Sequence, residues 1–260
     1  MSSGTKKTEA EIAILKEGGA ILAKILKQLV AYAGPGISTE DIDDRAIQLA
    51  EEYGVEPVLL GYHPNFADQP YPAALCTSIN NVVQHGVPRS DEVLRDGDIL
   101  NLDMTIGHKG LIVDSGLTVP VGTIDAESQR LIDVTREARA LGIKEARPGN
   151  YTGDIGHAIE TFVHKHGFSV VEALCGHGVG YAVHEDPMIP NVGKPGTGVK
   201  IEVGHVFAIE PIVNIGDKDV IFDDEGDGYS VYTADGSRSA HFEHTVAVTK
   251  NGPVILTTEK

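Results

Sequence analysis

The stretch "PGISTEDI" at residues 35–42 returns 113 residues later as "PGNYTGDI" at 148–155. Each copy has Pro-Gly, a threonine three residues after the glycine, and then Asp-Ile. Pro-Gly breaks whatever precedes it, and a short polar residue before a periodic apolar run starts a helix. The second helix of the first copy runs from about Thr39 until Gly54 stops it, and the same offset lands on Gly167. A helix precedes each copy. Residues 8–31 carry a capping-box pair, Thr8 and Glu11, with Ile21, Leu22, Ile25, Leu26 and Leu29 at helical spacing, and Asp125 to Glu145 is the counterpart. β-rich stretches at 56–122 and 168–258 follow the two helix pairs. A duplicated unit explains this order. The expected fold is α+β: a single domain over 1–260 with half-repeats of about 8–122 and 123–258. A pseudo-twofold relates the halves, and helices cover a central antiparallel sheet. A site is expected where the halves meet, and residues 1–7 read as flexible.

The bulk composition narrows the class. The chain has 260 residues, 41% hydrophobic and 23% charged, enough to bury a sizeable core. It has no run of 18 apolar residues, and "MSSGTKKTEA" lacks a signal-peptide core, so the expectation is a cytoplasmic, monomeric protein with no membrane partner. Cys76 and Cys175 are too few for a disulfide framework. A formal charge of −17 weighs against nucleic-acid binding through a broad basic face. Part of that charge is a solvated exterior, and part could be gathered to hold cations.

"ILNLDMTIGHKGLIVDSGLTV", residues 99–119, reads as two strands around a Gly-His-Lys-Gly turn. With His108 and Lys109 as the central turn residues, Asp103 falls directly opposite Asp114. Cross-strand Cβ atoms lie roughly 5 Å apart, so two half-buried carboxylates there must share a proton or hold a cation. Glu210 in "GHVFAIEPIV" and Glu243 in "SAHFEHTVAVT" sit in similarly apolar strands, with no Lys or Arg in either run. "CGHGVGYAVHEDP", 175–187, adds His177 and His184 at either end of a glycine-paved bend that no helix would present together. Histidine is a natural further ligand for divalent ions held by carboxylates.

"NNVVQHGVP", "GDILNLDMTIGHKGLIVDS", "CGHGVGYAVHEDP", "GHVFAIEP" and "FEHTVAVT" resemble, in order and spacing, the motifs of the methionine aminopeptidases. The resemblance spans about residues 8–258 and implies the pita-bread fold, shared with the Xaa-Pro peptidases. It implies a bacterial-type (type I) enzyme, since no added domain precedes the first helix. Such an enzyme uses two divalent ions (Co, Mn, Fe or Zn) to remove N-terminal methionine from nascent proteins and peptides. A metal-activated hydroxide attacks the first peptide bond. The family's ligands carry over onto Asp103, Asp114, His177, Glu210 and Glu243. By the same resemblance Asp103 would chelate one ion, Asp114 and Glu243 would bridge both, and His177 and Glu210 would complete the ligands of the second ion. His85 and His184 take the catalytic histidine positions, and Glu210 that of the proton shuttle. A sodium or potassium site falls on Asn80, Val82 and Ser239. The ribosome is the candidate partner beyond the substrate. His108, His157, His164, His166 and His205 take no family role and read as ordinary surface or structural histidines, and Glu185 and Pro187 read as loop chemistry.

Departures from the family pattern cluster around the side-chain pocket. Between Gly61 and Cys76 the chain is about six residues longer than the family's usual passage from "GYH" to "YP". We expect the extra residues around 64–70 to form a flap, with Tyr62, Phe66 and Tyr71 as apolar walls and Cys76, Val183 and Tyr229 completing the pocket. Leu59, Val183, Ala208, Tyr229 and His241 each replace a residue type more frequent in the family; His241 stands where glutamine is common. Two rivals remain at this level: a prolidase-like peptidase and a non-enzymatic binding protein of the same fold. Intact ligands argue against the second.

Overall fold

The computed structural model describes residues 4–259, apart from Phe66 and Glu225. Among the described residues four helices frame the fold: α1 (Glu9–Tyr32), α2 (Thr39–Tyr53), α3 (Ala126–Glu145) and α4 (Thr152–Lys165). Their starts follow the sequence closely. Thr8 and Ser38 cap α1 and α2, each with a returning carboxylate, Glu11 and Asp41, that accepts from the cap's own amide. The starts of α2 and α4 are 113 residues apart, as the repeat demands. Gly54 ends α2 in the left-handed conformation (φ 65°), and Gly167 turns the chain after α4 at φ 78°.

Between α2 and α3 run β1 (Glu56–Pro57), β2 (Cys76–Ile79), β3 (Val82–Gln84), β4 (Ile99–His108) and β5 (Leu111–Pro120). After α4 come β6 (Ser169–Val170), β7 (Gly176–Gly178), β8 (Glu185–Ile189), β9 (Val206–Ile209) and β10 (Ile212–Asn214). The chain closes with β11 (Val220–Phe222), β12 (Val231–Thr233), β13 (Ser239–His241), β14 (His244–Thr249) and β15 (Gly252–Ile255). The paired strands of the described residues run antiparallel. β5 pairs along one edge of β4, and β1 and β2 pair with different stretches of its other edge. A five-stranded sheet has the order β15-β14-β9-β7-β8, and two smaller sheets have the orders β13-β10-β6 and β11-β12-β3.

Each helix pair covers its own apolar cluster. Leu22, Ile25 and Leu29 of α1 pack with Leu100, Leu102, Met104 and Ile106 of β4, while Leu131 of α3 and Ile155 and Ile159 of α4 pack with Phe207, Ile209 and Val246. Side chains of this kind contribute about 1.5–3 kcal/mol each when fully buried, so the two clusters hold the sheets together along their helix-facing sides. The opposite sides are left to form a cleft.

The β4–β5 hairpin differs from the sequence expectation by its turn. Lys109 (φ 51°) and Gly110 (φ 79°) are the central residues, so His108 pairs with Leu111 rather than Gly107 with Gly110. Tight hairpin turns that match strand twist need positive φ at both central positions, and a Lys-Gly pair bears that more cheaply than His-Lys. Asp103 therefore faces Gly116, and Asp114 faces Thr105. The two aspartates remain on one side of the hairpin, as diagonal rather than direct neighbours. Both faces of the inner part of β4 are buried, so its apparent polar face is an interior one.

A second local feature serves the site. β9 and β10 run on through Glu210-Pro211, opposite Phe242-Glu243 between β13 and β14. Proline has no N–H to donate, so the ladder is interrupted there. That break carries both glutamates.

Candidate metal centre

Asp103 lies on β4, Asp114 on β5 and His177 on β7, while Glu210 and Glu243 occupy the paired break just described. Ligand atoms of Asp114, His177 and Glu243 all lie within 4.8 Å of one another. Glu210 reaches the group through its Oε1, 3.3 Å from His177 Nε2. Asp103 lines the same cleft, in mutual contact with Glu243. The structure thus brings together the five side chains named from the sequence.

The ligand atoms are held from behind. Asp114 Oδ1 accepts from Thr105 Oγ1 at 2.9 Å, and Glu210 Oε2 accepts from Gln84 Nε2 at 2.9 Å. His177 Nδ1 lies 2.9 Å from the carbonyl of Gly178, which can only accept. Nδ1 therefore carries the ring proton, and Nε2 turns its lone pair to the cleft. Asp103 Oδ1 and Glu243 Oε1 are buried without a hydrogen-bond partner.

The electrostatics call for cations. Burial first, and then the Asp114 charge, pushes Asp103 up to about 8. Burial also raises Glu210, to about 7, against the opposing pull of His177. Glu243 is raised well above the ordinary range by burial and by Asp114 and Asp103, and Asp114 is raised by burial. The Arg139 guanidinium donates to the main-chain oxygen of Glu243, at 3.4 Å, and not to its carboxylate. Four buried carboxylates, a lone-pair nitrogen and two unpartnered oxygens fit divalent ions with mixed N/O ligands.

His85 and His184 flank the centre. His85, just past β3, has an unusual positive φ of 60°. Burial, with His241 and His177 nearby, lowers its pKa to about 4. His184 stands at the mouth of the cleft with its ring centroid 4.5 Å from that of His177. Packing on its inner side, then His177 and His85, lower its pKa too. Both imidazoles are neutral at pH 7.

The other end of the cleft, which encloses about 290 Å³, is apolar: Leu59, Tyr62, Pro64, Tyr71, Cys76, Val183 and Tyr229 line it. Tyr71 and Tyr229 meet edge to face at 5.0 Å. The pocket residues expected from the sequence are therefore in place, except Phe66, which lies outside the described residues. For the monovalent-ion set, Ser239 N–H donates to the Asn80 carbonyl at 2.8 Å, and β3, with Val82, runs beside β13.

His241, the departure from the family's glutamine, packs directly behind the site. It is fully buried, and its Nε2 lies 3.6 Å from Glu210 Oε2. Asn101 donates to its carbonyl at 3.0 Å and turns its own oxygen toward Nδ1 at 3.4 Å. A Cβ on Gly116 would come within 3.2 Å of both His241 Cε1 and Asp103 Cβ, so that glycine makes room for the pair. The two-residue spacing of His241 and Glu243 was a legible signal. Gln84 was missed as well, one residue before His85 in "QHGVP".

Comparison with known proteins agrees with this geometry. Residues 13–250 match the model of metallopeptidase family M24. The chain is 41% identical to a methionine aminopeptidase of Aquifex aeolicus, covering 96% of this chain and 97% of that one. It is 43% identical to a Clostridium perfringens protein of the same name, with 96% and 97% covered. The crystal structure of methionine aminopeptidase from Thermotoga maritima superposes with a TM-score of 0.93 at 39% identity, over 98% of this chain and 100% of that chain. Prolidase from Pyrococcus furiosus shares the fold at a TM-score of 0.75 and 20% identity, with 98% of this chain covering 66% of it. Fold, ligand cluster and relatives agree: this chain belongs to metallopeptidase family M24, with the pita-bread fold, and its likeness within that family is to the methionine aminopeptidases.

Proposed function

We propose that the protein is a metallo-aminopeptidase that hydrolyses the bond after an N-terminal methionine, on nascent polypeptides and peptides. The observation that carries this reading is the adjacency of the carboxylate–histidine cluster to a cleft whose far end is walled by aromatic and aliphatic side chains. An uncharged, unbranched side chain such as methionine's suits those walls, and the acidic end suits an α-amine.

Asp103, Asp114, His177, Glu210 and Glu243 would hold two divalent ions, Co, Mn, Fe or Zn, which when bound would polarise the scissile carbonyl and acidify water at neutral pH. Glu210, steadied at Oε2 by Gln84, takes the proton from the attacking water and passes it to the leaving amine. Tyr62 OH lies 3.0 Å from His184 Nδ1. With the phenol donating there, the neutral ring keeps its proton on Nε2 for the developing oxyanion. His85 holds the amide nitrogen beyond the cut. Asn80, Val82 and Ser239 would supply a structural sodium or potassium site. We place the enzyme in the cytoplasm as a monomer, with the ribosome as the partner that presents its substrates; no described helix is long and apolar enough to cross a membrane. The domain spans 1–260, with half-repeats of about 8–122 and 123–258.

The test is release of free methionine from Met-Ala-Ser, compared with cleavage of Ala-Pro, by protein loaded with each candidate metal after chelation. Methionine release that needs added metal supports the reading. Cleavage of Ala-Pro in preference to the methionyl peptide would make the enzyme a prolidase.

A further inference from the structure

Lys7 belongs to the N-terminal segment expected to be flexible, yet its side chain is only 1% exposed. Its ammonium donates to Glu185 Oε2 at 2.6 Å and to Thr5 Oγ1 at 3.0 Å, and Thr5 donates to that same carboxylate oxygen. The ammonium also lies 4.7 Å from the centre of the Tyr181 ring, a favourable cation–π placement. The other oxygen of Glu185, Oε1, accepts the main-chain N–H groups of Tyr181 and Ala182. The Glu185 carboxylate therefore closes the bend 181–185 on itself with one oxygen and fastens it to the N-terminal segment with the other. His184 lies inside that bend.

The segment is fixed in turn from outside. Lys7 N–H donates to the Gly204 carbonyl at 2.7 Å, and Lys6 pairs with Glu202. Thr8, the next residue, caps α1, and Tyr181 OH reaches Glu11 Oε1 in the first turn of that helix at 2.8 Å. Gly180 completes the fit: a Cβ there would meet Lys7 Cε at 2.5 Å, so the lysine stem occupies the space a side chain would need. The bend is otherwise loop, held on its other side by Ile112 N–H to Gly180 O at 2.7 Å.

We propose that Lys7 is a positioning residue for His184: residues 5–7 form a strap whose buried ammonium, through Glu185, holds the bend that aims the His184 ring at the scissile bond. The proposal rests on the aminopeptidase reading for its kinetic consequence alone. An imidazole displaced by about 1 Å loses most of its effect on a transition state, while ground-state binding in the apolar pocket is untouched. The strap therefore acts on kcat more than on KM.

Lys7→Met keeps the apolar stem and removes the charge; Glu185→Gln keeps an oxygen for the Tyr181 and Ala182 amides. We expect each to lower kcat about tenfold, with KM and bound metal within twofold of the parent. Hydrogen exchange of amides in 180–187 should speed up, with exchange in β4 unchanged. Lys7→Arg should restore most of kcat, and the Lys7→Met/Glu185→Gln double variant should be no worse than either single one, since both break one link. Unchanged exchange in 180–187 overturns the strap, and faster exchange with unaltered kcat overturns its role in placing His184. Should Lys7→Met fail to fold, Glu185→Gln and Lys7→Arg decide by the same readings. If the parent releases no methionine, the aminopeptidase reading fails, and the exchange data still judge the strap.

Discussion

The phenol of Tyr62 and Nδ1 of His184 lie 3.0 Å apart, with their rings tilted by 52° and their centroids 5.8 Å apart. This contact selects the tautomer of a histidine whose pKa is already pulled down by its surroundings. Tyr62→Phe keeps the pocket wall and removes only the hydroxyl. A single neutral hydrogen bond is worth about 0.5–1.5 kcal/mol, so kcat should fall roughly 2- to 12-fold. Stability and metal content should hold. Steady-state kinetics on a methionyl peptide check this, and an unaltered kcat would show that the phenol does not set the tautomer.

The two flanking histidines and the shared carboxylate should separate cleanly by metal content. His85→Ala and His184→Ala are expected to retain metal and to lose about 10²-fold or more in turnover, the scale of a lost acid–base or oxyanion partner. Glu243→Ala should lose both metal and activity, because its ligand oxygen lies in the group with Asp114 and His177. Elemental analysis beside kinetics distinguishes the cases. Full metal occupancy in Glu243→Ala would end its assignment as a bridge.

The raised carboxylates make a prediction about pH and stability in the metal-free protein. Asp103 and Glu210 titrate at about 8 and about 7 in the fold, above the ordinary carboxylate values they regain on unfolding. Below about pH 6.5 the buried histidines, which bind protons only once unfolded, offset this; between about pH 6.5 and 8 the folded state binds more protons than the unfolded one, and stability falls as pH rises through that window. Metal-free Tm should drop from about pH 6.5 to 8, and Asp103→Asn should flatten the drop. Divalent ions should steepen the opposite trend, raising Tm most at the alkaline end, where they no longer compete with protons. Calorimetric scans with and without chelator test it. A metal-free Tm that climbs between about pH 6.5 and 8 would contradict the like-charge cluster.

Local sequence carried much of this, and where it fell short the cause was specific. The helix starts were legible because caps are short-range: Thr8 with Glu11, and Ser38 with Asp41, declare themselves within four residues. The ligand set was legible because carboxylates in apolar strands without a basic neighbour have few other uses. Register was not. Moving the turn from His108-Lys109 to Lys109-Gly110 changes every partner, and only φ preferences separate the two. Lys7 and His241 escaped because each acquires meaning from a partner far along the chain, Glu185 and Glu210 respectively. Gly116 shows the same dependence. We expect Gly116→Ala to fold and to bind metal at least tenfold more weakly, since its methyl would crowd both Asp103 and His241. Isothermal titration with Mn or Co measures this, and unchanged affinity would mean that the wall yields without moving Asp103.

The longest departure from the family, the passage around 64–70, reaches the cleft in this structure. Pro64 lines it beside Tyr62 and Tyr71, and the Tyr229 hydroxyl donates to the Gln69 carbonyl. The described residues of the passage thus touch the apolar end through the Pro64 ring, through Ala67 packed on the Tyr71–Cys76–Tyr229 cluster, and by fixing a tyrosine that stands in its wall. Long surface loops are cheap to insert, so mere tolerance could also account for the length. Selectivity separates the two accounts. Removing residues 64–69 takes away Pro64 and the acceptor of Tyr229, leaving Tyr62 and Tyr71 as walls without their backing. One methylene of pocket fit is worth about 1–3 kcal/mol, so discrimination between methionine and leucine or norleucine at the first position should shift by roughly tenfold or more in relative kcat/KM. Tyr229→Phe, which loses the bond to Gln69, should shift it in the same direction by less. Both variants should keep metal, because neither touches a ligand. Selectivity unchanged in a trimmed protein of normal Tm would make the insertion a surface loop that merely passes the pocket.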